Sequence, residues 1–331
     1  MKATLVFNPA AGQRTVRAHL RNVVGYLAEH GWVVEWKETT PEVSATELAK
    51  EAVAHDAEVV IAAGGDGTIN GVVNGLVGHP NVRLGILPTG TANVWAWESG
   101  VANISLLGPN LEVAGRVLVE GTTLLMDVGK ADDRYFLIMA GAGLDGLVIQ
   151  RVDLKAKRYW GALAYAWTAV REALKYRGAT VRIRVDGVEI VRNAWLVTIS
   201  NSKLYALVPL AMDASVTDGL LDVGIFAGRS WPQFLRHTIN VILRRHMRDP
   251  EVEFLRGREI RITSSPQLPV HVDAEPLGST PMTFTVVPRA LHVIVPREMA
   301  AQLTSPLQRW NVTGRVRGNT RRSVDKSEIE N

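Results

Sequence analysis

The first third of the chain alternates short apolar runs with longer segments of helical periodicity. Apolar runs of strand length occupy residues 3–7, 33–37, 59–62 and 83–87, and helical patterns occupy about 15–30, 43–55, 69–76 and a stretch that begins near Asn93. Strands that alternate with helices in this way are typical of a parallel sheet covered by helices. The pattern therefore predicts an open α/β domain over residues 1–123.

After about residue 124 the pattern changes to many short strand-like runs separated by turn residues. It predicts a second, β-rich domain over residues 124–296, built as an antiparallel sheet or sandwich. Helical patterns interrupt it at 154–176 and 231–246. Residues 297–331 form a C-terminal segment that is rich in Arg, Ser and Asn after Leu303, which predicts a disordered basic tail. The predicted strands lie at 124–130, 135–140, 179–185, 189–200, 221–226, 258–264, 269–272, 283–287 and 290–295.

Composition narrows the function classes. A chain of 331 residues, 47% of them hydrophobic, can fill two cores. The absence of cysteine excludes thiol catalysis, disulfides and cysteine-ligated zinc. The formal net charge of +4 suits an anionic ligand, a nucleic acid or an anionic membrane surface, and does not decide among them. Because no apolar run reaches the roughly 18 residues of a spanning helix, we expect a cytoplasmic protein, for which peripheral membrane association remains open.

The densest signal is the segment 59–71, in which an apolar strand runs into Gly-Gly-Asp-Gly and then into a helix. Glycines at such a turn let backbone N–H groups converge at a helix N-terminus, which makes a phosphate cradle. Thr68 and Asn70 can add donors, and Asp66 places a carboxylate where a metal ion or a proton must be handled. The structural alternative is a tight turn with an N-cap aspartate.

Three further polar turns follow predicted strands, at 8–12, at 39–40 and at 88–93. The carboxyl ends of parallel strands open on one edge of the sheet, where ligands of α/β proteins bind. The sequence therefore predicts one ligand site at this edge, although polar turns also arise by chance.

No P-loop pattern occurs. The Gly-x-Gly-x-x-Gly match at 141–146 is interpreted as a packed turn that enters a helix, because no strand ending in an acidic residue follows it.

Two acidic segments could serve chemistry. Asp213, Asp218 and Asp222 give one loop three carboxylates, which suits an oxygen-seeking cation, although an Asp-Gly hairpin turn is the simpler explanation. Asp273 and Glu275 lie two positions apart in a predicted strand, so both side chains are expected on one face.

These segments, in this order, resemble the motifs of the diacylglycerol kinase catalytic-domain family, which includes bacterial diacylglycerol kinases and sphingosine kinases. The resemblance extends from the first strand to about Pro296. It implies an ATP site between the two domains and transfer of the γ-phosphoryl group of ATP to a lipid hydroxyl, with Mg²⁺ as cofactor. The segments that carry it are 7–12, 64–68, 87–93, 141–145, 218–222 and 273–275.

The resemblance also implies roles for individual residues. Mg²⁺ would be held by the Asp218 carboxylate with the carbonyls of Ser215 and Leu220. The proton acceptor would lie in the segment 273–275 or on Asp66, and we expect Glu275 as the base with Asp273 and Asp66 as metal- or water-linked helpers. The implied nucleotide contacts are Asn8, Thr39, Gly64, Gly65, Asp66, Gly67, Thr68, Ile69, Asn70 and Thr91.

Three positions depart from the family's pattern. Val94 stands where the family usually has Asp, and Ala274 replaces a glycine, which is tolerable if its φ is negative. The segment 201–209 lacks an expected glycine cluster, which affects the acceptor pocket more than the ATP site. These departures leave a catalytically impaired nucleotide- or lipid-binding homologue as one alternative. An NAD kinase-like enzyme, which shares the Gly-Gly-Asp-Gly motif and the two-domain plan, is the other.

The acceptor is not identified by the sequence, since diacylglycerol, a sphingoid base, a polyprenol and related glycerolipids all present a primary hydroxyl. We expect no nucleic-acid partner, and dimerisation stays open.

The segment 159–170 is aromatic-rich, free of charge and flanked by basic residues, and a second basic cluster spans 236–248. Both suit a lipid substrate at a membrane surface, while a buried core helix and a solvated helix are the alternatives.

Overall fold

The computed structural model of the chain describes residues 1–11, 16–90, 92–102, 110–151, 162–205 and 208–304. The amino-terminal part is a parallel sheet in the order β2–β1–β3–β4, covered by helices. The strand–helix alternation predicted from the sequence is confirmed. The strands are β1 (Lys2–Phe7), β2 (Val33–Glu38), β3 (Val59–Gly64) and β4 (Arg83–Pro88), and the helices are α1 (Val16–Glu29), α2 (Ala45–Ala54), α3 (Asp66–Leu76), α4 (Val94–Glu98) and α5 (Leu111–Glu120).

Local sequence explains these elements. All six residues of β3 are buried, as expected for a central strand covered on both faces. Helix α2 begins at a capping box, in which Ser44 and Glu47 satisfy each other's backbone N–H groups. The parallel order places the carboxyl ends of all four strands on one edge of the sheet, so the fold creates the predicted ligand edge.

The remaining part is rich in antiparallel strands, which confirms the predicted β-rich second domain. Strands run in the order β16–β15–β7–β9–β8–β14–β17, with β12 and β13 branching from β9. The strands are β5 (Thr122–Ala131), β6 (Arg134–Phe136), β7 (Met139–Gly143), β8 (Ala179–Val185), β9 (Val188–Ser200), β10 (Leu204–Tyr205), β11 (Val208–Pro209), β12 (Leu221–Ala227), β13 (Val252–Gly257), β14 (Glu259–Ser265), β15 (Pro269–Val272), β16 (Glu275–Ser279) and β17 (Met282–Val295), and the helices are α6 (Leu144–Arg151), α7 (Ala162–Lys175), α8 (Trp231–Ile242) and α9 (Arg297–Thr304).

Strand β17 joins the two parts. Its first half pairs with β14, its last residues pair in parallel with β4, and β5 pairs along both halves. The sequence predicts two strands here, but the structure forms one strand with an irregularity between Val287 and Leu291. The domain boundary at residues 123 and 124 stays a prediction, because the sheet is continuous across it.

Other differences concern element bounds. The strand predicted at 135–140 is interrupted, because the N–H groups of Leu137 and Ile138 donate to the Asp273 carboxylate instead of a strand. Helix α3 begins at Asp66, three residues before the predicted start. Helices α5 and α9 and strands β10, β11, β13 and β16 were not predicted. Residues 154–161 of the predicted helical stretch 154–176 lie outside the described residues. The predicted tail after residue 304 lies outside them as well.

No helix within the described residues is long and apolar enough to cross a membrane.

Candidate active site

The glycine-rich segment after β3 is a tight turn in which a single residue separates the strand from the next helix. Gly64 ends the strand, Gly65 is the N-cap residue, and Asp66 already opens α3, which has no side-chain cap. The backbone N–H groups of the first helical turn have no intrahelical acceptor, and they carry the positive end of the helix dipole. The predicted phosphate cradle therefore corresponds to the half-buried start of an eleven-residue helix at the carboxyl edge of the sheet.

The two glycine turns lie against each other. A Cβ at Gly90 would lie 2.4 Å from the Cα of Gly65, so these backbones approach too closely for any side chain. A Cβ at Gly64 would lie 2.3 Å from Oγ1 of Thr68, which packs over the strand end. The structure thus brings the turns after β3 and β4 together, as the parallel order predicts.

Residues from the first two strands complete this edge. Nδ2 of Asn8 donates to Oγ1 of Thr68 at 3.1 Å, and the backbone N–H of Thr39 donates to the carbonyl of Phe7 at 2.9 Å. Ile69 is 1% exposed within the core, so only its backbone can face a ligand. Thr91 lies outside the described residues. The roles of these residues as nucleotide contacts stay predictions.

Asp66 carries a perturbed carboxyl. Its Oδ1 atom is buried and has no hydrogen-bond partner among the described residues. Burial, followed by the charge of Asp273, raises the pKa of Asp66 to about 6, and the backbone N–H groups of Trp95, Val94 and Asn93 act in the opposite direction. A carboxyl with a pKa near the working pH and an unsatisfied oxygen is suited to bind a cation or to exchange a proton.

The Asp273 carboxylate is saturated with donors. Oδ2 accepts the N–H of Leu137 and Nδ2 of Asn70, both at 2.8 Å, while Oδ1 accepts the N–H groups of Ile138 at 2.9 Å and Met139 at 3.0 Å. Asp273 is 5% exposed. Burial raises its pKa, and the donors act against this effect. This carboxylate organises the surrounding backbone and has little capacity left for another partner.

The expectation that Asp273 and Glu275 share one face of a strand is wrong. Val272 pairs with Glu275, and the two residues between them form the hairpin turn between β15 and β16. Asp273 has φ of 45° and Ala274 has φ of 63°, so the negative φ that would make alanine tolerable at position 274 is not found. A two-residue hairpin turn with two positive φ values matches the twist of the strands, which explains why the family's pattern has glycine there.

Glu275 faces the glycine turn from the β-rich side. A Cβ at Gly67 would lie 2.5 Å from Oε1 of Glu275, so this carboxylate rests against the first turn of α3. Its Oε2 atom forms an ion pair with Arg134, and its side chain is 39% exposed. Nε of Arg134 also donates to Oδ1 of Asn70 at 3.1 Å. Of the three predicted catalytic carboxylates, Glu275 is the accessible one.

Asn70 and Arg134 link the two halves of the site. Nδ2 of Asn70 donates both to Asp273 and to the carbonyl of Tyr135, and its Oδ1 accepts from Arg134 and from Asn74. Asn70 therefore acts as a structural bridge, while its predicted contact with nucleotide stays a prediction. Sequence reasoning missed Arg134 and Asn74. Their partners are remote in sequence and leave no local pattern; Glu275, for example, lies 141 positions from Arg134.

An arginine lies beside Asp218, the one carboxylate among the predicted Mg²⁺ ligands. Arg256 forms an ion pair with Asp218, and its Nη2 also donates to Oδ2 of Asp222 at 3.2 Å. Oγ of Ser215 donates to the carbonyl of Thr304 at 2.9 Å, and the N–H of Leu220 donates to Oδ1 of Asp218 at 3.1 Å. No cluster of three His, Cys, Asp or Glu residues suited to a metal ion occurs among the described residues.

This arrangement does not fit a Mg²⁺ site, because a guanidinium already neutralises the carboxylates that the cation would need. Burial nevertheless raises the pKa of Asp222 to about 6, with Arg256 acting in the opposite direction and Asp218 adding to the rise. Asp127 stabilises the loop that contains Asp218, because its carboxylate accepts the N–H of Gly219 at 2.7 Å. Asp127 was not singled out from the sequence. The metal role of Ser215, Asp218 and Leu220 stays a prediction.

The other two departures from the family's pattern are Val94 and the segment 201–209, and both pack or hydrogen-bond within the fold. The Val94 side chain is buried at the start of α4. Nδ2 of Asn201 donates to the carbonyls of Asp127 and Leu137 at 3.0 and 2.9 Å. The N–H groups of Lys203 and Leu204 donate to the buried Glu98. Residues 206–207 of this segment lie outside the described residues.

The turn at 141–146 does enter a helix, as the sequence predicts, and it brings together a pair that the sequence did not reveal. Nε2 of His271 lies 2.8 Å from Oδ2 of Asp145, and both side chains are buried. A Cβ at Gly141 would lie 1.9 Å from the same Asp145 oxygen, so the glycine makes room for the pair.

Comparison with known proteins relates both parts of the chain to described families. Residues 2–131 match the diacylglycerol kinase catalytic domain, and residues 139–295 match the YegS C-terminal NAD kinase beta sandwich-like domain. A diacylglycerol kinase of Bacillus subtilis is 31% identical over 91% of this chain and 99% of its own. A diacylglycerol kinase of Staphylococcus carnosus is 29% identical over 90% of this chain and 96% of its own.

Solved structures agree in fold. A crystal structure described as a diacylglycerol kinase from Bacillus anthracis superposes with a TM-score of 0.72 at 24% identity, and it covers 89% of this chain and 96% of its own. Because the superposition covers 89% of this chain, the shared fold extends across both parts.

Proposed function

The chain belongs to the diacylglycerol kinase family, and from this premise we propose that it transfers the γ-phosphoryl group of ATP to the primary hydroxyl of a lipid, with diacylglycerol as the first candidate. One observation carries the proposal for this chain. The accessible Glu275 carboxylate rests against the first turn of α3, so a proton acceptor from one part of the chain meets the predicted phosphate cradle of the other.

The cradle would bind the phosphates of the Mg²⁺–ATP substrate. Free N–H groups of the first turn of α3 point toward the edge where Asn8 and Thr39 also lie. Asp66, whose Oδ1 atom has no partner among the described residues, would offer a carboxylate oxygen to the Mg²⁺ ion that accompanies the nucleotide, and the ion would neutralise phosphate charge. This role is independent of the Asp218 loop, which Arg256 already neutralises.

Glu275 is the proposed proton acceptor. The lipid oxygen attacks the γ-phosphorus, its proton passes to the Glu275 carboxylate, and the bond between the γ-phosphorus and the bridging oxygen breaks as ADP leaves. Asp273 is unsuited to this step because four N–H donors occupy its oxygens. Arg134, which pairs with Glu275, holds the carboxylate in place over Gly67.

An NAD kinase-like activity is the second candidate, and it is favoured by the description of the family that residues 139–295 match. It predicts phosphorylation of a soluble dinucleotide rather than a lipid. The catalytically impaired homologue predicts nucleotide binding without transfer to either acceptor.

A labelling experiment distinguishes these functions. The full chain is incubated with γ-labelled ATP, Mg²⁺ and mixed micelles that each carry one acceptor, namely diacylglycerol, a sphingoid base or a polyprenol, with NAD in a parallel reaction. Label on diacylglycerol supports the proposal. Label on NAD alone favours the second candidate, and ATP binding without any labelled product contradicts a kinase function. Glu29→Gln, an exposed glutamate on α1, serves as the control variant.

A further inference from the structure

Helix α4 links the glycine turns to the β-rich part. It begins after Asn93, whose side chain exchanges two hydrogen bonds with the backbone of Gly90, at 2.7 and 3.2 Å. The backbone N–H groups at the start of α4 bond to the Asp66 carboxylate. Because the helix has only five residues, its last residue, Glu98, lies about one helical turn from these contacts.

Glu98 binds a segment of the β-rich part. The residue is 9% exposed, and its carboxylate accepts the backbone N–H of Lys203 at 2.7 Å and that of Leu204 at 3.1 Å. Burial raises the pKa of Glu98, and these N–H groups act in the opposite direction. Charge-assisted hydrogen bonds are strong where water is excluded, so this buried carboxylate is a firm anchor for the segment.

The anchored segment is the base of the hairpin formed by β10 and β11. The carbonyl of Lys203 accepts the N–H of Leu210 at 2.9 Å and that of Ala211 at 3.2 Å, so both ends of the hairpin meet at Lys203. Leu204, the first residue of β10, packs against the amino-terminal core. Glu98 therefore fixes the whole hairpin by holding its base.

The residues just before the hairpin connect this anchor to the Asp273 turn. The N–H groups of Asn201 and Ser202 donate to the carbonyl of Ile138, at 2.9 and 3.1 Å. The N–H of Ile138 in turn donates to Oδ1 of Asp273 at 2.9 Å. Hydrogen bonds thus run from the helix that binds Asp66, through Glu98 and the base of the hairpin, to the turn that precedes Glu275.

The hairpin lies on the side of the phosphate cradle that faces away from the predicted nucleotide contacts. In the sheet order β2–β1–β3–β4, Asn8 and Thr39 follow β1 and β2, whereas α4 follows β4, so the turn after β3 lies between them. In-line transfer needs the attacking oxygen opposite the leaving oxygen. A nucleotide bound toward Asn8 and Thr39 leaves the side of α4 and its hairpin to the acceptor.

We propose that Glu98 is a positioning residue for the acceptor: by anchoring the β10–β11 hairpin, it fixes the side of the pocket that aligns the lipid hydroxyl with the γ-phosphate. This role rests on the proposed kinase function. Glu98 acts through the hairpin and not as a proton acceptor, because backbone N–H groups occupy its carboxylate. The segment 201–209, which departs from the family's pattern, is then an altered acceptor pocket and not a sign of lost activity.

Hydrogen exchange and steady-state kinetics on the full chain test this role. Glu98→Gln keeps the shape of the side chain and removes its charge. The amides of residues 201–205 should exchange at least about tenfold faster in this variant, because charged hydrogen bonds hold them closed. KM for diacylglycerol in mixed micelles should rise about tenfold, while KM for ATP stays within about twofold of the wild type.

A second variant reaches the same hairpin from its other contact. Leu204→Ala removes a half-buried side chain that packs against the amino-terminal core, and it leaves the backbone bonds to Glu98 in place. It should raise KM for diacylglycerol about threefold. The double variant Glu98→Gln/Leu204→Ala should raise this KM by less than the product of the two single effects, because both changes loosen one hairpin.

Two controls separate positioning from general effects of charge and stability. Glu29→Gln removes an exposed glutamate on α1. Val23→Ala removes buried apolar volume between α1 and α5 and lowers the stability of the protein without touching the hairpin. Both controls should keep the KM values of the wild type for diacylglycerol and for ATP.

Unchanged exchange of residues 201–205 in Glu98→Gln would overturn the anchor. An equal rise of both KM values, an unchanged KM for diacylglycerol, or the same rise in Val23→Ala would overturn the acceptor role and leave the kinase function intact. A wild-type protein that labels no lipid would overturn the proposed function and the acceptor role with it, whereas the exchange measurement would still decide whether Glu98 anchors the hairpin.

Discussion

Nδ2 of Asn70 donates a 2.8 Å hydrogen bond to Oδ2 of Asp273, across 203 positions of sequence. The bond joins the first turns of α3 to the hairpin between β15 and β16. Both side chains are buried, so the interaction is made in a low-dielectric environment, where charge-assisted hydrogen bonds are strong. It fixes Glu275, two residues after Asp273, over the glycine turn.

Replacement of Asn70 by alanine should lower the free energy of unfolding by about 2 kcal/mol, because one oxygen of a buried carboxylate loses a donor. Arg134 loses one acceptor at the same time and keeps its ion pair with Glu275. Urea denaturation measures the change, with the exposed Asn81→Ala as the control. An unchanged unfolding midpoint for Asn70→Ala would show that the bridge contributes nothing to stability.

Replacement of Ala274 by glycine should stabilise the protein. Ala274 has φ of 63°, a region that costs an L-residue about 1–2 kcal/mol and glycine little, while glycine adds entropy to the unfolded chain. The expected net gain is about 0.5–1 kcal/mol. Thermal unfolding measures it, and Ala10→Gly, in a turn without a positive φ, should be neutral or slightly destabilising. A loss of stability in Ala274→Gly would contradict strain at this turn.

The fold could be predicted where periodicity is local. The alternation of strands and helices gave the parallel sheet, and its topology alone placed the turns after β3 and β4 on one edge. The hairpin at Asp273 was missed because Ala274 lacks the glycine that normally signals two positive φ values. The sequence predicts separate strands at 283–287 and 290–295, yet β17 continues through both, and Asp127 accepts the N–H of Arg289 at 2.7 Å at the irregularity.

The site could be predicted as a set of motifs but not as a set of roles. The segments 64–68 and 273–275 do meet, which agrees with the site between the two parts that the resemblance implies. Which carboxylate is accessible depends on partners that are remote in sequence, namely the N–H groups of 137–139 on Asp273 and Arg134 on Glu275. The same holds for Asp218, where Arg256 lies 38 positions away.

Replacement of Arg256 by methionine should make the Asp218 loop sensitive to Mg²⁺. Without the guanidinium, Asp218 and the buried Asp222 repel each other, and the pKa of Asp222 rises further. We expect a loss of about 1–3 kcal/mol near neutral pH, which disappears as acid protonates Asp222.

Thermal unfolding with Mg²⁺ or with EDTA measures this effect. Mg²⁺ should raise the melting temperature of Arg256→Met and leave that of the wild type and of the control Arg258→Met unchanged. If Mg²⁺ stabilises the wild type, and Asp218→Asn removes that stabilisation, the loop is a metal site despite the arginine.

Replacement of Glu275 by glutamine should lower kcat for lipid phosphorylation by roughly 10²–10⁴ and leave KM for ATP nearly unchanged, because it removes the proton acceptor and keeps the shape of the side chain. Steady-state kinetics on micelles measures both constants. Glu29→Gln should behave like the wild type. A kcat within a few-fold of wild type for Glu275→Gln would assign the proton to another group.

Asp66 should couple stability and activity to pH in opposite directions. Its pKa is about 6 in the folded protein, mainly because of burial, and about 3.9 in an unfolded chain. Since the folded state binds this proton more tightly, the stabilisation is fully present below about pH 4 and is lost as the pH rises through 6. Asp66→Asn should therefore be more stable than the wild type by about 2–3 kcal/mol near pH 8 and equally stable near pH 4.

The same ionisation is needed for phosphoryl transfer, because only the carboxylate can bind the cation that accompanies ATP. The activity of the wild type should fall about tenfold per pH unit below pH 6, and Asp66→Asn should be inactive at every pH although it is the more stable protein. Asp56→Asn, at an exposed position, controls for the loss of one charge. Urea denaturation at several pH values, together with the pH profile of kcat/KM, measures both effects. Near-normal turnover of Asp66→Asn would show that the buried carboxyl has no part in the reaction, whereas a stability difference that does not change with pH would show that its pKa is not raised.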